Sequence, residues 1–394
     1  MNDKLFAQLQ NFRSNLNTAF LEREDVIDGL LASLITKQNS FLFGLPGTGK
    51  SELVRAVSNG FKGSQFFGYL LSPTTDPSEL FGPVAVSKLL KDEYVRDVNG
   101  YLPSANIAFL DELFRGSSAV LNSLLTILNE RTFNNGRDVI ETPIQSIVAA
   151  TNSFPQEESL QAFCDRFLFR PTVDLLKKPA SKRQLDAWAL GIKQRPTVES
   201  ELSFDDLQTL QHEVTSIQAS DEFLDSFTQV IDLLATRGIT ISDRRRVQIL
   251  KFLRGWAIVQ GDEELYPEHL HRSLVHIVYQ TTDDVQAIKD VLEQVVPTAE
   301  KLLESIKRAH SGILTEYHAV HAQESKSVDD LNRLVGKLRK MHRDLDTLNN
   351  KLDNILESGQ YRISAHARQT ATKLAQAIES SSQSVANSIS NISS

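Results

Sequence analysis

Residues 44 to 51 read Gly44-Leu45-Pro46-Gly47-Thr48-Gly49-Lys50-Ser51 and satisfy the pattern G-x-x-x-x-G-K-[ST] at every specified position. This is a phosphate-binding loop. Its glycines let backbone N–H groups turn inward around phosphate oxygens, Lys50 reaches the terminal phosphates, and the Ser51 hydroxyl is placed to ligate Mg²⁺. The candidate nucleotide-binding residues are therefore Gly44, Pro46, Gly47, Thr48, Gly49, Lys50 and Ser51. About sixty residues on, Ile107-Ala108-Phe109-Leu110 runs into Asp111-Glu112, an apolar strand ending in two adjacent carboxylates. In this Walker B pattern Asp111 holds Mg²⁺, and Glu112, pointing differently, orients and deprotonates the attacking water. A third apolar run, Ile147 to Thr151, ends at Asn152, whose amide is placed to sense the γ-phosphate or the water. The bland alternative for Asn152 is a polar residue that merely closes a strand.

The elements needed to hold these groups are legible around them. Phe41-Leu42-Phe43 leads into the loop, and the helical spacing of Leu53, Val54 and Val57 leaves it, giving strand–loop–helix. Apolar residues from Phe6 to Ile35 predict two amphipathic helices, with Glu22-Arg23-Glu24-Asp25 between them as a solvated helix start or a nucleotide-base contact. Gln65 to Leu71 reads as a buried strand, and Asp76-Pro77-Ser78-Glu79 as a capped helix start with Glu79 reaching back. Gly82-Pro83 interrupts that helix, and Val84-Ala85-Val86 with Tyr94-Val95-Arg96 suggest a small hairpin. A helix is predicted from about Ser117 to Glu130. Asn134-Asn135-Gly136-Arg137 predicts a second hairpin closed by a type I′ turn.

Farther on, residues from about 180 to 280 read as helices, with Arg244-Arg245-Arg246 at a helix start. Spacing alone does not interpret Arg166 in Asp165-Arg166-Phe167, and an ordinary Asp165–Arg166 ion pair is its bland reading. Beyond Gln280, Leu331, Leu334, Leu338, Met341, Leu345, Leu348, Leu352 and Ile355 alternate steps of three and four as a coiled-coil seam. Neighbouring helices could complete a three-helix bundle, and the Ser/Asn-rich end from about Ser380 is expected to fray.

Composition bounds the setting. A chain of 394 residues is long for a single core, and 41% hydrophobic with 23% charged residues is ordinary for a soluble globular protein. A net charge of −8 argues against general nucleic-acid or anionic-membrane affinity. The start has no leader pattern, no run has the length of a membrane span, and the one cysteine, Cys164, has no partner for an intrachain disulfide. A cytoplasmic enzyme is the default.

With these residues in order, the chain resembles the MoxR family of AAA+ ATPases, and within it the RavA branch. The resemblance rests on the Walker A segment, on Gly100-Tyr101-Leu102-Pro103 before Phe109-Leu110-Asp111-Glu112, on Leu121 to Leu125, on Asn129-Glu130-Arg131, and on Ser242-Asp243-Arg244-Arg245. It covers roughly residues 5 to 280. It implies an α/β P-loop core with a parallel sheet between helices, residues 1–176, then an all-α lid, 177–280, and the heptad periodicity adds a C-terminal helical bundle or coiled coil, 281–394. It implies ATP and Mg²⁺ as cofactors, a helix-2 insert near residues 82 to 102, and a pre-sensor hairpin from Arg131 to Ile140. Asn152 then falls at sensor 1, Arg166 at the arginine finger and Arg244 at sensor 2, reaching from the lid to the γ-phosphate, with Arg245 the lesser candidate. The family's β-rich disc-like insertion has no counterpart after residue 280.

The expected function is ATP hydrolysis by a homo-oligomeric ring, a hexamer, that remodels a protein client. A von Willebrand factor A-domain protein is the implied companion, with no specific nucleic acid and no membrane span. The alternatives are a nucleic-acid-associated AAA+ motor, or a nucleotide-gated scaffold whose coil is the active part.

Overall fold

The computed structural model describes residues 3–152, 160, 163–279, 284–296, 299–321, 328–357 and 365–393. The chain forms two compact units. The first comprises residues 1–224, 231–265 and 272–288, and the second residues 225–230, 266–271 and 289–394. The expected core–lid boundary at 176/177 falls inside the first unit, and the boundary at 280/281 lies outside the described residues.

In the first unit, helices α1 (Asp3–Ala19) and α2 (Glu24–Thr36) precede strand β1 (Ser40–Phe43). Then follow α3 (Lys50–Asn59), β2 (Phe66–Leu70), α4 (Pro77–Phe81), α5 (Val86–Leu89), β3 (Ile107–Asp111), α6 (Ser118–Glu130), β4 (Thr132–Asn135), β5 (Asp138–Glu141) and β6 (Ser146–Thr151). The sheet is parallel, in the order β1-β6-β3-β2. Residues 169–173 run along the free edge of β1, where Phe41 N donates to Phe169 O and Val173 N to Phe43 O. β1, β3 and β6 are buried because layers cover both faces, and their near-continuous apolar sequences follow from that. The parallel pairing puts the C-terminal strand ends at one rim. Phe43 is level with Thr151, and Leu110 with Ala149, so Gly44, Asp111 and Asn152 leave the sheet together.

α2 is buried along its length, and it packs against the helix Asp243–Gln260 through small residues. A Cβ on Gly255 would come within 2.4 Å of Thr36, so a larger residue would separate the two helices. The buried Asp28 on α2 is held by Arg13, whose Nη2 donates to Oδ2 at 2.7 Å, and by Gln260.

Several expectations are corrected. β2 is an edge strand and only partly buried, because among the described residues its hydrogen-bonded neighbour is β3 alone. The segment around residues 84–96 makes a single antiparallel bridge, Val84 to Arg96, and Val86 begins a short helix instead of continuing a strand. The β4–β5 hairpin pairs Asn135 with Asp138, so its central residues are Gly136 and Arg137. Gly136 alone has a positive φ, 72°, the signature of a type II′ turn and not of type I′. The capped start of α4 has both predicted bonds, Ser78 N to Asp76 and Asp76 N to Glu79.

In the second unit the helices Ala299–His321, Val328–Glu357 and Ala365–Ser393 form a bundle. The seam residues Leu338, Met341, Leu345, Leu348, Leu352 and Ile355 are buried against Leu303, Ile306, Ala371, Leu374, Ile378 and Val385. The opposite helices therefore come from the same chain. The end does not fray at Ser380: the helix continues to Ser393, with Val385 buried and Ser382 sharing a hydrogen bond with His342 at 2.8 Å.

Candidate nucleotide site

The loop between β1 and α3 is fixed at its root by close backbone approach. A Cβ on Gly44 would lie 2.3 Å from the carbonyl of Val173, so only glycine lets the strand end run against the 169–173 segment. Gly47 and Gly49 have φ of 80° and 82°, the left-handed conformation that turns successive N–H groups toward one side. Pro46 is exposed, and the Thr48 hydroxyl closes the turn by donating to Leu45 O at 3.0 Å. Lys50 Nζ lies beneath the loop, donating to Gly44 O at 2.6 Å and Leu45 O at 3.1 Å. Burial lowers the Lys50 pKa from its ordinary value, and the charges of Asp111 and Glu112 oppose part of that shift.

The second motif meets the first at hydrogen-bond distance. Ser51 Oγ donates to Asp111 Oδ2 at 3.1 Å, which places a hydroxyl and a carboxylate oxygen side by side as hard ligands of the kind Mg²⁺ takes together with phosphate and water. These residues fit a Mg²⁺-nucleotide. Glu112 then adopts φ 53°, a left-handed conformation that costs a non-glycine residue about 1–3 kcal/mol. Its carboxylate is held at both ends, by Asn152 Nδ2 donating to Oε1 at 2.6 Å and by Arg115 Nε at 3.5 Å from Oε2. Arg115 carried no motif signal, because its only mark in the sequence is a spacing of three from Glu112.

The arginines lie elsewhere. Arg166 and Arg244 line a cavity of about 660 Å³ with Arg131, Arg170 and Arg245, and no residue of the phosphate-binding loop lines it. The side chains of Arg166 and Arg244 are exposed, and neither has a carboxylate partner among the described residues. Asp165 does not pair with Arg166. Its carboxylate faces Arg170 at 3.6 Å and Arg245 at 3.7 Å, and these two guanidinium groups also donate to the carbonyl of Ile277. Arg245 is thus occupied in packing, and its burial lowers its pKa to about 10. Within one chain the structure brings Lys50, Ser51, Asp111, Glu112 and Asn152 together, and groups Arg166 with Arg244 apart from them.

Residues 7–212, just over half the chain, match the MoxR domain in the MoxR-vWA-beta-propeller ternary systems. The chain belongs to the MoxR family. The matched segment holds both Walker motifs, Asn152 and Arg166, and ends before Arg244. Two uncharacterized proteins of Methanocaldococcus jannaschii are similar to this MoxR chain over much of its length. MJ0079 is 33% identical over 306 residues, 75% of this chain and 79% of its own, and MJ0812 is 34% identical over 277 residues, 70% and 72%. The crystal structure of a Cytophaga hutchinsonii protein described as a candidate ATPase aligns with a TM-score of 0.61 at 17% identity, over 74% of this chain and 95% of that one. At that identity the likeness speaks for the fold: an AAA+ α/β P-loop core with a helical C-terminal region.

Proposed function

We propose that this MoxR chain is a Mg²⁺-dependent ATPase that works as a homo-oligomeric ring, hexameric as in the RavA branch it resembles, and uses hydrolysis to remodel a protein partner. The observation that carries the chemistry is the pair of contacts Ser51–Asp111 and Glu112–Asn152 at one sheet rim, beside Lys50. Bound Mg²⁺-ATP would supply the phosphoryl group and a cation to offset its developing charge. The loop N–H groups and Lys50 would hold the phosphates, and Ser51 with Asp111 would hold the metal. Glu112 accepts the proton of the attacking water, and Asn152 keeps the Glu112 carboxylate turned toward the site. The finger is supplied in trans: Arg166, grouped with Arg244 in a cavity that no loop residue lines, serves the nucleotide of the neighbouring subunit. The domain match names systems that also contain a vWA and a β-propeller component, and we assign a von Willebrand factor A-domain protein as the partner on that ground.

Two variants test the chemistry. Lys50→Ala should abolish nucleotide binding, measured with a fluorescent ATP analogue. Glu112→Gln should bind it as the wild type does and lose turnover by on the order of 10² to 10⁴, because it removes a group needed mainly in the transition state. Equal loss of binding in both variants would overturn the role of Glu112.

A further inference from the structure

We propose that Asn39 is a positioning residue for Arg166, a buried carboxamide that fixes the finger loop to the strand bearing Asn152; the inference rests on the reading of Arg166 as a trans-acting finger. Asn39 lies between α2 and β1 and exposes only 4% of its surface. A carboxamide has two acceptor lone pairs and two donor hydrogens, and all four are used. Oδ1 accepts from Ile147 N at 3.1 Å and from Arg131 Nη2 at 2.9 Å. Nδ2 donates to Leu128 O and to Arg166 O, each at 3.3 Å. The orientation is determined by the partners, since the flipped amide would set its oxygen against two carbonyls and its NH₂ against a guanidinium and an N–H.

The contacts converge on the finger loop from several elements. The backbone carbonyl of Asn39 also accepts from Leu168 N at 3.0 Å, so one residue holds the chain on both sides of Phe167. From the other direction Asp165 is held by Arg170 and Arg245. Arg166 is thus an exposed side chain on an anchored backbone, as a group that must meet a partner's nucleotide in one geometry requires. Ile147 belongs to β6, whose far end delivers Asn152 to Glu112, and Arg131 Nη2 ties the same node to Lys37 O at 3.1 Å. The finger loop and the sensor strand therefore share one buried side chain.

The test is Asn39→Asp, which keeps the shape and the acceptor side but sets a carboxylate oxygen against the carbonyls of Leu128 and Arg166. Turnover in assembled rings should fall roughly 10²-fold, as misplacing a reacting group by about an ångström does, while ATP affinity at the variant's own loop stays within twofold. A general packing defect would instead follow the variant subunit wherever it sits. Mixing separates these. Asn39→Asp subunits co-assembled with Lys50→Ala subunits should regain activity, because the intact finger of the latter serves the intact loop of the former, whereas Asn39→Asp mixed with Arg166→Ala should not. If Asn39→Asp does not fold, Asn39→Ser, too short to span the same four partners, goes through the same assays. Unchanged turnover, or failure of recovery with Lys50→Ala when Arg166→Ala does recover with it, would overturn the positioning role. Failure of both to recover would instead remove the trans finger, and this inference with it.

Discussion

Glu22 shows how much a single half-buried carboxylate can organise. Lying between α1 and α2, it accepts from Lys177 N at 2.8 Å and Lys178 N at 2.9 Å, and these backbone bonds hold its pKa down at about 2 from an ordinary 4.5. A carboxylate with a depressed folded pKa contributes stability that is complete above the unfolded value and lost as pH falls through the folded one. Glu22→Gln should therefore melt below the wild type at neutral pH, and the gap should close as pH falls from about 4.5 to about 2. A gap that stays constant across that window would show that the two N–H bonds do not set the titration. The sequence marked this cluster only as a solvated helix start or a base contact, since nothing in Glu22-Arg23-Glu24-Asp25 reveals that backbone N–H groups some 155 residues away will meet it. The Walker residues were legible for the opposite reason. Their chemistry restricts residue type and local spacing together, so Lys50, Ser51, Asp111 and Glu112 announce themselves, whereas Asn39 and Arg170 act through contacts that cross the fold.

Elements divide along the same line. Helices with an apolar stripe were readable, and so was the capping box at Asp76, because both are set by residues within one or two turns. Burial of β2 was not, since an apolar strand reads alike whether it has one neighbour or two, and the hairpin turn slipped by one residue because Gly136 alone supplies the positive φ. The heptad seam is the sharpest case, for its periodicity specifies that a partner helix exists without saying which chain provides it. Here the partners are the helices Ala299–His321 and Ala365–Ser393 of the same chain. Leu345 is fully buried in that seam, so Leu345→Ala should lower the stability of the bundle by about 2–5 kcal/mol in denaturant titration, at any protein concentration. An effect that appears only as weakened self-association would mean that the seam serves a second chain instead.

For the whole molecule, the grouping of residues has a kinetic consequence. Lys50, Ser51, Asp111, Glu112 and Asn152 meet at one sheet rim, while Arg166 and Arg244 line a cavity without any loop residue. An arginine finger is worth on the order of 10³ to 10⁵ in turnover. If the neighbouring subunit supplies it, ATPase activity per chain must depend on assembly. Activity per chain should rise with protein concentration in step with the oligomer seen by light scattering, and level off once rings are complete. Arg166→Ala should assemble and bind ATP like the wild type, yet stay at the low activity of the dilute protein at every concentration, because assembly then adds no finger. Arg244→Ala should lie between the two, losing a second cation from the same cavity while Arg166 remains. A wild type whose activity per chain is independent of concentration well below assembly would show that each chain completes its own site, and Arg166 would then have no trans role.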